Sequence, residues 1–95
     1  MAVFAIFDVD IHDPSRYGEF MAGVKPAIEA AGGRYLVRGG EHRHYEGDWQ
    51  PWRIVIFEFP SFDAFEGFYY GPVYQGFKTI RDACSTARLV AVQGL

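Results

Sequence analysis

The most constraining feature of this chain is that its predicted strands carry apolar side chains on both faces. Successive side chains of a strand point to opposite faces, and in residues 3–9 neither set of alternate positions is mainly polar. One set is Val3, Ala5, Phe7 and Val9, and the other is Phe4, Ile6 and Asp8. Residues 54–59 and 88–92 show a similar pattern. Because an antiparallel sheet in a small domain usually leaves one face in water, the second face of this sheet needs a cover.

A helix is predicted directly after the first strand. Asp13 and Pro14 suit its N-cap and first residue, and Gly32–Gly33 suits its C-terminal end. Apolar residues at spacings of three and four fill the stretch between them. Pro26 lies inside this stretch and predicts a kink or a local loss of helix over residues 23–26.

The remaining signals complete a pattern of four strands, one long helix and a pair of shorter helices. A second strand is predicted over residues 33–39, with Tyr35 and Val37 on one face and Arg34, Leu36 and Arg38 on the other. A third strand ends at Pro60, where Ser61 can cap a second helix, and Gly71–Pro72 separates that helix from a third. A last strand covers residues 86–93. This order is typical of a single ferredoxin-like α+β domain over residues 1–95, a βαββαβ antiparallel sheet with its helices on one face.

The face without helices is predicted to form a homodimer interface. Its seven apolar side chains are Phe4, Ile6, Leu36, Ile54, Ile56, Val90 and Val92. Their burial at about 1.5–3 kcal/mol each would contribute about 10–20 kcal/mol per subunit. Association costs about 4–15 kcal/mol, so the second copy of the chain is the expected cover.

Charge and cysteine content exclude several classes of partner. The formal charge of −3 argues against nucleic acid, which is normally bound by a basic patch. Cys84 is the single cysteine, so no internal disulfide forms and a reducing cytoplasm is the expected compartment. The sequence shows neither a signal peptide nor the roughly 20 apolar residues of a membrane span. We therefore expect neither nucleic acid nor membrane as a partner.

Three segments resemble a known family. GGRYLVRGG at residues 32–40, EGDWQPWRIVIFEFPSFDA at 46–64 and YYGPVYQGFK at 69–78 are together similar to the family called domain of unknown function 1330. The resemblance spans nearly the whole chain and implies a dimeric α/β barrel, in which two ferredoxin-like sheets pack face to face. It implies no particular reaction. The wider superfamily includes cofactor-free monooxygenases, lactone isomerases, dehydratases and haem-degrading proteins, which suggests a small organic ligand beside the sheet.

The candidate site consists of charged residues on the apolar sheet face and tyrosines next to it. Arg38 would bind an anionic substrate, since a guanidinium pairs with a carboxylate in a bidentate fashion. Glu58 or Asp8 would transfer a proton, and Tyr17 and Tyr74 would line the apolar walls. The alternative is that the charged residues form structural pairs inside the dimer.

A metal site is a weaker hypothesis. His42 and His44 alternate and would project to the same side of an extended segment, where Glu41 or Glu46 could add a ligand. The same segment is typical of a charged, solvent-facing loop, and a lone cysteine cannot build a structural zinc site. We expect neither a metal nor an organic cofactor.

Two functions fit these observations. The first is a cytoplasmic dimer that binds a small anionic or aromatic metabolite and catalyses a cofactor-free proton transfer or oxidation. The alternative is a non-catalytic binding or assembly protein whose charged sheet face is structural.

Overall fold

The computed structural model describes all of residues 1–95 and has the predicted order of elements. They are β1 (Val3–Ile11), α1 (Pro14–Ala30), β2 (Arg34–Arg38), β3 (Ile54–Phe59), α2 (Phe62–Tyr69), α3 (Pro72–Cys84) and β4 (Ser85–Gln93). The four strands form one antiparallel sheet in the order β2-β3-β1-β4. This confirms the predicted ferredoxin-like α+β fold. None of the three helices combines the length and the apolar composition that a membrane-spanning helix needs.

The core lies between the helices and one face of the sheet. On β1 this face is the wholly apolar set that begins at Val3, and α1 contributes the apolar stripe predicted from its spacing, Tyr17, Phe20, Val24 and Ile28. The molecule measures only 17 Å along its shortest axis, which is the thickness of one sheet and one helix layer. The opposite face of the sheet, here called the outer face, therefore has no second layer over it.

Helix α1 begins and ends where the sequence predicts. Asp13 accepts a hydrogen bond from the backbone N–H of Arg16, and Gly32 adopts the positive φ of 93° that a helix end favours. The predicted loss of helix near Pro26 is wrong, because α1 is continuous from Pro14 to Ala30. Pro26 and Ala22 are both exposed, so the carbonyl that the proline leaves unbonded can be hydrated.

A β-bulge at Leu36 reverses the predicted facing of the end of β2. Tyr35 pairs with Phe57, whereas Val37 pairs with Ile56 and Arg38 with Val55. Because one extra residue enters β2 between these pairs, Val37 faces outward and Arg38 faces the helices. The alternation used in the sequence analysis predicted the opposite for both residues, and the bulge is the physical reason for the correction.

The outer face presents a continuous apolar row across all four strands. Ile6 is paired with Ile56 on one side and Val90 on the other, and Ile56 is paired with Val37. Val90 remains 61% exposed and neighbouring Val92 49% exposed. The strands therefore carry apolar residues on both faces, as predicted, and the apolar row of the outer face is left partly exposed within one chain.

Candidate ligand-binding site

A cavity lies between α1, α3 and the helix-facing side of the sheet. It measures about 20 Å³, room for about one water molecule, and together with its open mouth it encloses about 370 Å³. Its six aromatic lining residues are Phe7, Tyr17, Phe20, Tyr35, Phe57 and Tyr74. An apolar wall interrupted by a few polar groups is typical of small-molecule sites. A ligand of several atoms would have to displace the flexible side chains at the mouth.

Three arginines line this cavity and no carboxylate does. They are Arg38 at the end of β2, Arg53 directly before β3, and Arg81 on α3. The chain as a whole is acidic, with a formal charge of −3. Arg81 is paired with Asp82 outside the cavity, but Arg38 and Arg53 have no carboxylate partner. Two such cations beside one apolar space repel each other more strongly than they would in water, because the effective dielectric constant is lower. The charge arrangement therefore favours an anion inside the cavity.

Arg38 occupies the mouth of the cavity. It is the only lining residue that is exposed. Its Nη2 donates a hydrogen bond to the carbonyl oxygen of Met21 at 3.3 Å, and its guanidinium lies 4.9 Å from the centre of the Tyr35 ring. It forms no ion pair with a carboxylate. The Leu36 bulge thus places Arg38, a cation without a carboxylate partner, at the mouth of the cavity.

Arg53 is held beside the same mouth by Gly39. Its guanidinium lies 5.7 Å from the Tyr17 ring centre and its Nη2 is 3.6 Å from Met21 Sδ. A Cβ at Gly39 would lie 2.6 Å from Arg53 Nε, and Gly39 has a φ of +72°. Only glycine combines this backbone conformation with that close approach. The sequence analysis missed Arg53, and the double glycine at residues 39–40 was the available signal.

Arg81 forms the buried end of the cavity. It is only 5% exposed, and its guanidinium packs 5.2 Å from the Phe7 ring centre. Its Nη1 donates to Tyr74 Oη at 2.6 Å, and its Nη2 donates to Asp82 Oδ1 at 3.3 Å. The sequence analysis missed this residue too. Its position in the apolar stripe of α3, between Phe77 and Cys84 at helical spacing, would have identified it.

The tyrosines of the cavity are hydrogen-bond donors at neutral pH. Burial raises the pKa of Tyr17, of Tyr35 and of Tyr74, although nearby arginines act in the opposite direction. The three phenols therefore stay protonated, and each can offer an O–H group to a bound oxygen atom.

Glu58 lies outside the cavity on the outer face of the sheet. Its carboxylate forms an ion pair with Arg34 of the neighbouring strand. Both residues border a shallow surface groove that also contacts Gly32 and Pro60. Glu58 therefore has a structural partner and does not reach the space that Arg38 enters.

Asp8 is also on the outer face, under the segment that connects β2 to β3. It is 3% exposed and accepts hydrogen bonds of 2.9 Å from Trp49 Nε1 and from the backbone N–H of Trp52, with a longer one of 3.4 Å from that of Arg53. Burial alone would raise the pKa of Asp8, but these donors and the charge of Arg88 lower it below its usual value. A carboxylate held in this way anchors the segment.

The two histidines considered as metal ligands contact backbone carbonyls. His42 Nε2 is 2.9 Å from the Pro51 oxygen, and His44 Nε2 is 2.6 Å from the Gly47 oxygen. No group of three or more His, Cys, Asp and Glu side chains is placed to hold a metal ion.

The structure thus joins part of the predicted site and separates the rest. Arg38, Tyr17 and Tyr74 line one cavity, together with Arg53 and Arg81. Asp8 and Glu58 lie on the other side of the sheet, so neither can exchange a proton with a ligand in this cavity directly.

Solved structures of similar fold include proteins with and without a described activity. The chain is 21% identical to the RPA0582 protein of Rhodopseudomonas palustris, with a TM-score of 0.81, covering 99% of this chain and 82% of that one. SnoaB of Streptomyces nogalater, a cofactor-independent oxygenase, is 15% identical with a TM-score of 0.69, covering 99% and 93%. A dimeric ferredoxin-like protein of Jannaschia sp. CCS1 is 13% identical with a TM-score of 0.74, covering 99% and 100%.

At these identities the likeness concerns the fold alone. No curated protein sequence matches the chain significantly. The similarity noted from the three sequence segments extends over nearly every residue of the chain, because the profile of one family matches residues 2–95. The chain therefore belongs to the family described as domain of unknown function (DUF1330).

Proposed function

We propose that the chain binds a small aromatic anion in the cavity between α1 and the sheet. The observation that carries this proposal is the presence of three arginines and no carboxylate in an aromatic-walled space. The aromatic walls favour a planar apolar ligand by area burial and stacking. Arg38, exposed at the mouth and without a carboxylate partner, is the group that would bind the anion in a bidentate fashion.

A homodimer through the outer face is the second part of the proposal. The apolar row through Ile6 and Ile56 lacks a cover, and the Jannaschia protein of similar fold is dimeric. Leu36, Val90 and Val92 are 44–61% exposed and the other apolar residues of this face less so, so about a third of their surface remains to be covered and burial contributes about 3–7 kcal/mol per subunit. Two subunits then contribute about 6–14 kcal/mol, which is comparable to the cost of association of about 4–15 kcal/mol.

Cofactor-free oxidation is the chemistry that this site would support. SnoaB, described as a cofactor-independent oxygenase, has the same fold. Arginines around an apolar space lower the pKa of a bound phenol, and a phenolate gives up electrons more readily than a phenol. A hydroquinone would transfer two electrons and two protons to O₂ and yield a quinone and hydrogen peroxide, with no cofactor. Glu58 and Asp8 have no part in this scheme, because both lie on the outer face.

The alternative remains a non-catalytic binding or assembly protein. Both carboxylates of the outer face already have partners within the chain, since Glu58 pairs with Arg34 and Asp8 bonds to two tryptophans. These contacts favour a structural role for that face. An oxygen electrode distinguishes the two functions. Oxidation is supported if a hydroquinone causes O₂ uptake above the uncatalysed rate and Arg38→Met abolishes this excess. O₂ uptake equal to the uncatalysed rate supports binding alone.

Binding itself is tested with benzoate, the simplest aromatic carboxylate. A ligand of this size is expected to bind with a Kd of about 1 mM, which protein NMR titration measures well. Backbone signals of α1 and of the end of β2 should shift. Arg38→Lys keeps the charge but loses the bidentate geometry, so the Kd should rise about tenfold.

Arg34→Lys is the matched control, because Arg34 lies on the same strand but pairs with Glu58 on the outer face. It should leave the benzoate affinity unchanged. Benzoate that shifts no signal of the cavity, or an affinity that both variants lower equally, would overturn the proposed function.

A further inference from the structure

The phenol of Tyr74 has a proton without an acceptor in the protein. Arg81 Nη1 donates to Tyr74 Oη at 2.6 Å, and a guanidinium has only donors. The phenol oxygen is therefore the acceptor in this bond, and its own proton points elsewhere. Arg81 is the only hydrogen-bond partner of the Tyr74 side chain.

Neighbouring aromatic rings bury the Tyr74 side chain beside the cavity. Its ring centre lies 5.0 Å from that of Phe68 and 5.2 Å from that of Tyr69. It is 2% exposed and lines the cavity beside Arg81. A buried donor that is not satisfied by protein costs free energy, and an acceptor in the cavity would satisfy it.

Arg81 carries a second unused donor at the same end. Its Nε is the one buried side-chain nitrogen or oxygen in the protein that has no hydrogen-bond partner. Most buried polar groups in native proteins are paired. Two unused donors at the buried end of a cavity, one of them on a guanidinium, complement an anionic oxygen.

We propose that the cavity takes a hydroxylated aromatic acid, whose phenolic oxygen accepts a hydrogen bond from the Tyr74 O–H at the buried end while its carboxylate binds Arg38 at the mouth. This inference rests on the proposed function and names the ligand class within it. The Arg81 charge behind Tyr74 favours the phenolate form of the ligand hydroxyl. Tyr74 itself stays protonated, because burial raises its pKa.

The test compares 4-hydroxybenzoate with benzoate by NMR titration. The wild-type protein should bind 4-hydroxybenzoate about tenfold more tightly, as expected for one charge-assisted hydrogen bond. The bound phenol should also absorb as phenolate at a pH at which the hydroxyl group of the free ligand is still protonated. Tyr74→Phe should remove both the tenfold preference and the phenolate absorbance.

Tyr69→Phe is the control, because Tyr69 packs against Tyr74 but does not line the cavity. It should keep the preference. Equal wild-type affinities for the two ligands would overturn this inference even if Tyr74→Phe does not fold, and would leave the proposed function intact. A preference that survives in Tyr74→Phe would also overturn it. Failure of both ligands to bind would overturn the proposed function and the inference together.

Discussion

Asp8→Asn should destabilise the protein strongly although Asp8 is remote from the cavity. The substitution keeps the size of the side chain but replaces one carboxylate oxygen with an NH₂ group. That group then faces an N–H donor, either Trp49 Nε1 or the backbone N–H of Trp52, each now 2.9 Å from a carboxylate oxygen. One of these donors must lose its acceptor, and the other bonds to a neutral oxygen.

The magnitude follows from the burial of each donor. The Trp52 bond is charge-assisted and its acceptor is buried, which makes it worth about 1.5–3 kcal/mol. Trp49 is half exposed, so water replaces much of its bond and the loss there is about 0.5–1 kcal/mol. The longer Arg53 contact adds little. Asp8→Asn should therefore lower the free energy of unfolding by about 2–4 kcal/mol and Tm by about 10–30 °C.

Urea unfolding followed by tryptophan fluorescence measures this loss at equal protein concentrations. The pKa of Asp8 is lowered in the folded protein, so its contribution to stability is complete above the unfolded pKa of about 3.9. That contribution is lost as the pH falls through the folded pKa. The stability difference between wild type and Asp8→Asn should therefore shrink as the solution is acidified below about pH 4.

Asp10→Asn is the matched control on the same strand. Asp10 is partly exposed and contacts only the exposed His12, at 3.4 Å, so its substitution should cost no more than about 0.5 kcal/mol. A loss below about 1 kcal/mol in Asp8→Asn, or equal losses in the two variants, would refute the anchoring role of Asp8.

Three further outcomes are expected. Light scattering coupled to gel filtration should give twice the chain mass of 10.8 kDa, and a wild-type mass of 10.8 kDa would contradict the dimer. Ile56→Lys should reduce the measured mass, because an unpaired ammonium would be buried in the interface. Gly39→Ala should cost about 1–2 kcal/mol in urea unfolding and weaken benzoate binding by displacing Arg53, whereas Gly40→Ala, with open space around it, should do neither. The Cys84 thiol should resist iodoacetamide in the folded protein, because burial raises its pKa; labelling as fast as in urea would contradict this.

The fold was predictable because its signals are local or periodic. Asp13 and Ser61 both cap helices as their types and positions predict. The alternation in β1 identified a sheet with two apolar faces before any partner strand was known. The continuity of α1 through Pro26 was not predictable, because tertiary packing of the apolar stripe outweighs the loss of one hydrogen bond.

The site was predictable only in part, since its geometry depends on contacts between distant segments. Simple alternation along β2 predicted that Arg38 shares the outer face with Glu58 and Asp8. A single bulge places Arg38 on the helix-facing side instead. Arg81 lies in an apolar stripe where an arginine breaks the pattern, and its role emerges only when α3 is packed against β1. Arg53 gains its position from Gly39, fourteen residues earlier in the chain.

The Leu36 bulge makes the two surfaces of this protein inseparable in evolution. If β2 paired without the bulge, Leu36 would take the place of Val37 opposite Ile56, which would turn Arg38 towards the outer face and Val37 towards the cavity. The cavity would lose its entrance cation in the same event that placed a charge on the apolar outer face. A change of register in this five-residue strand is therefore selected against twice.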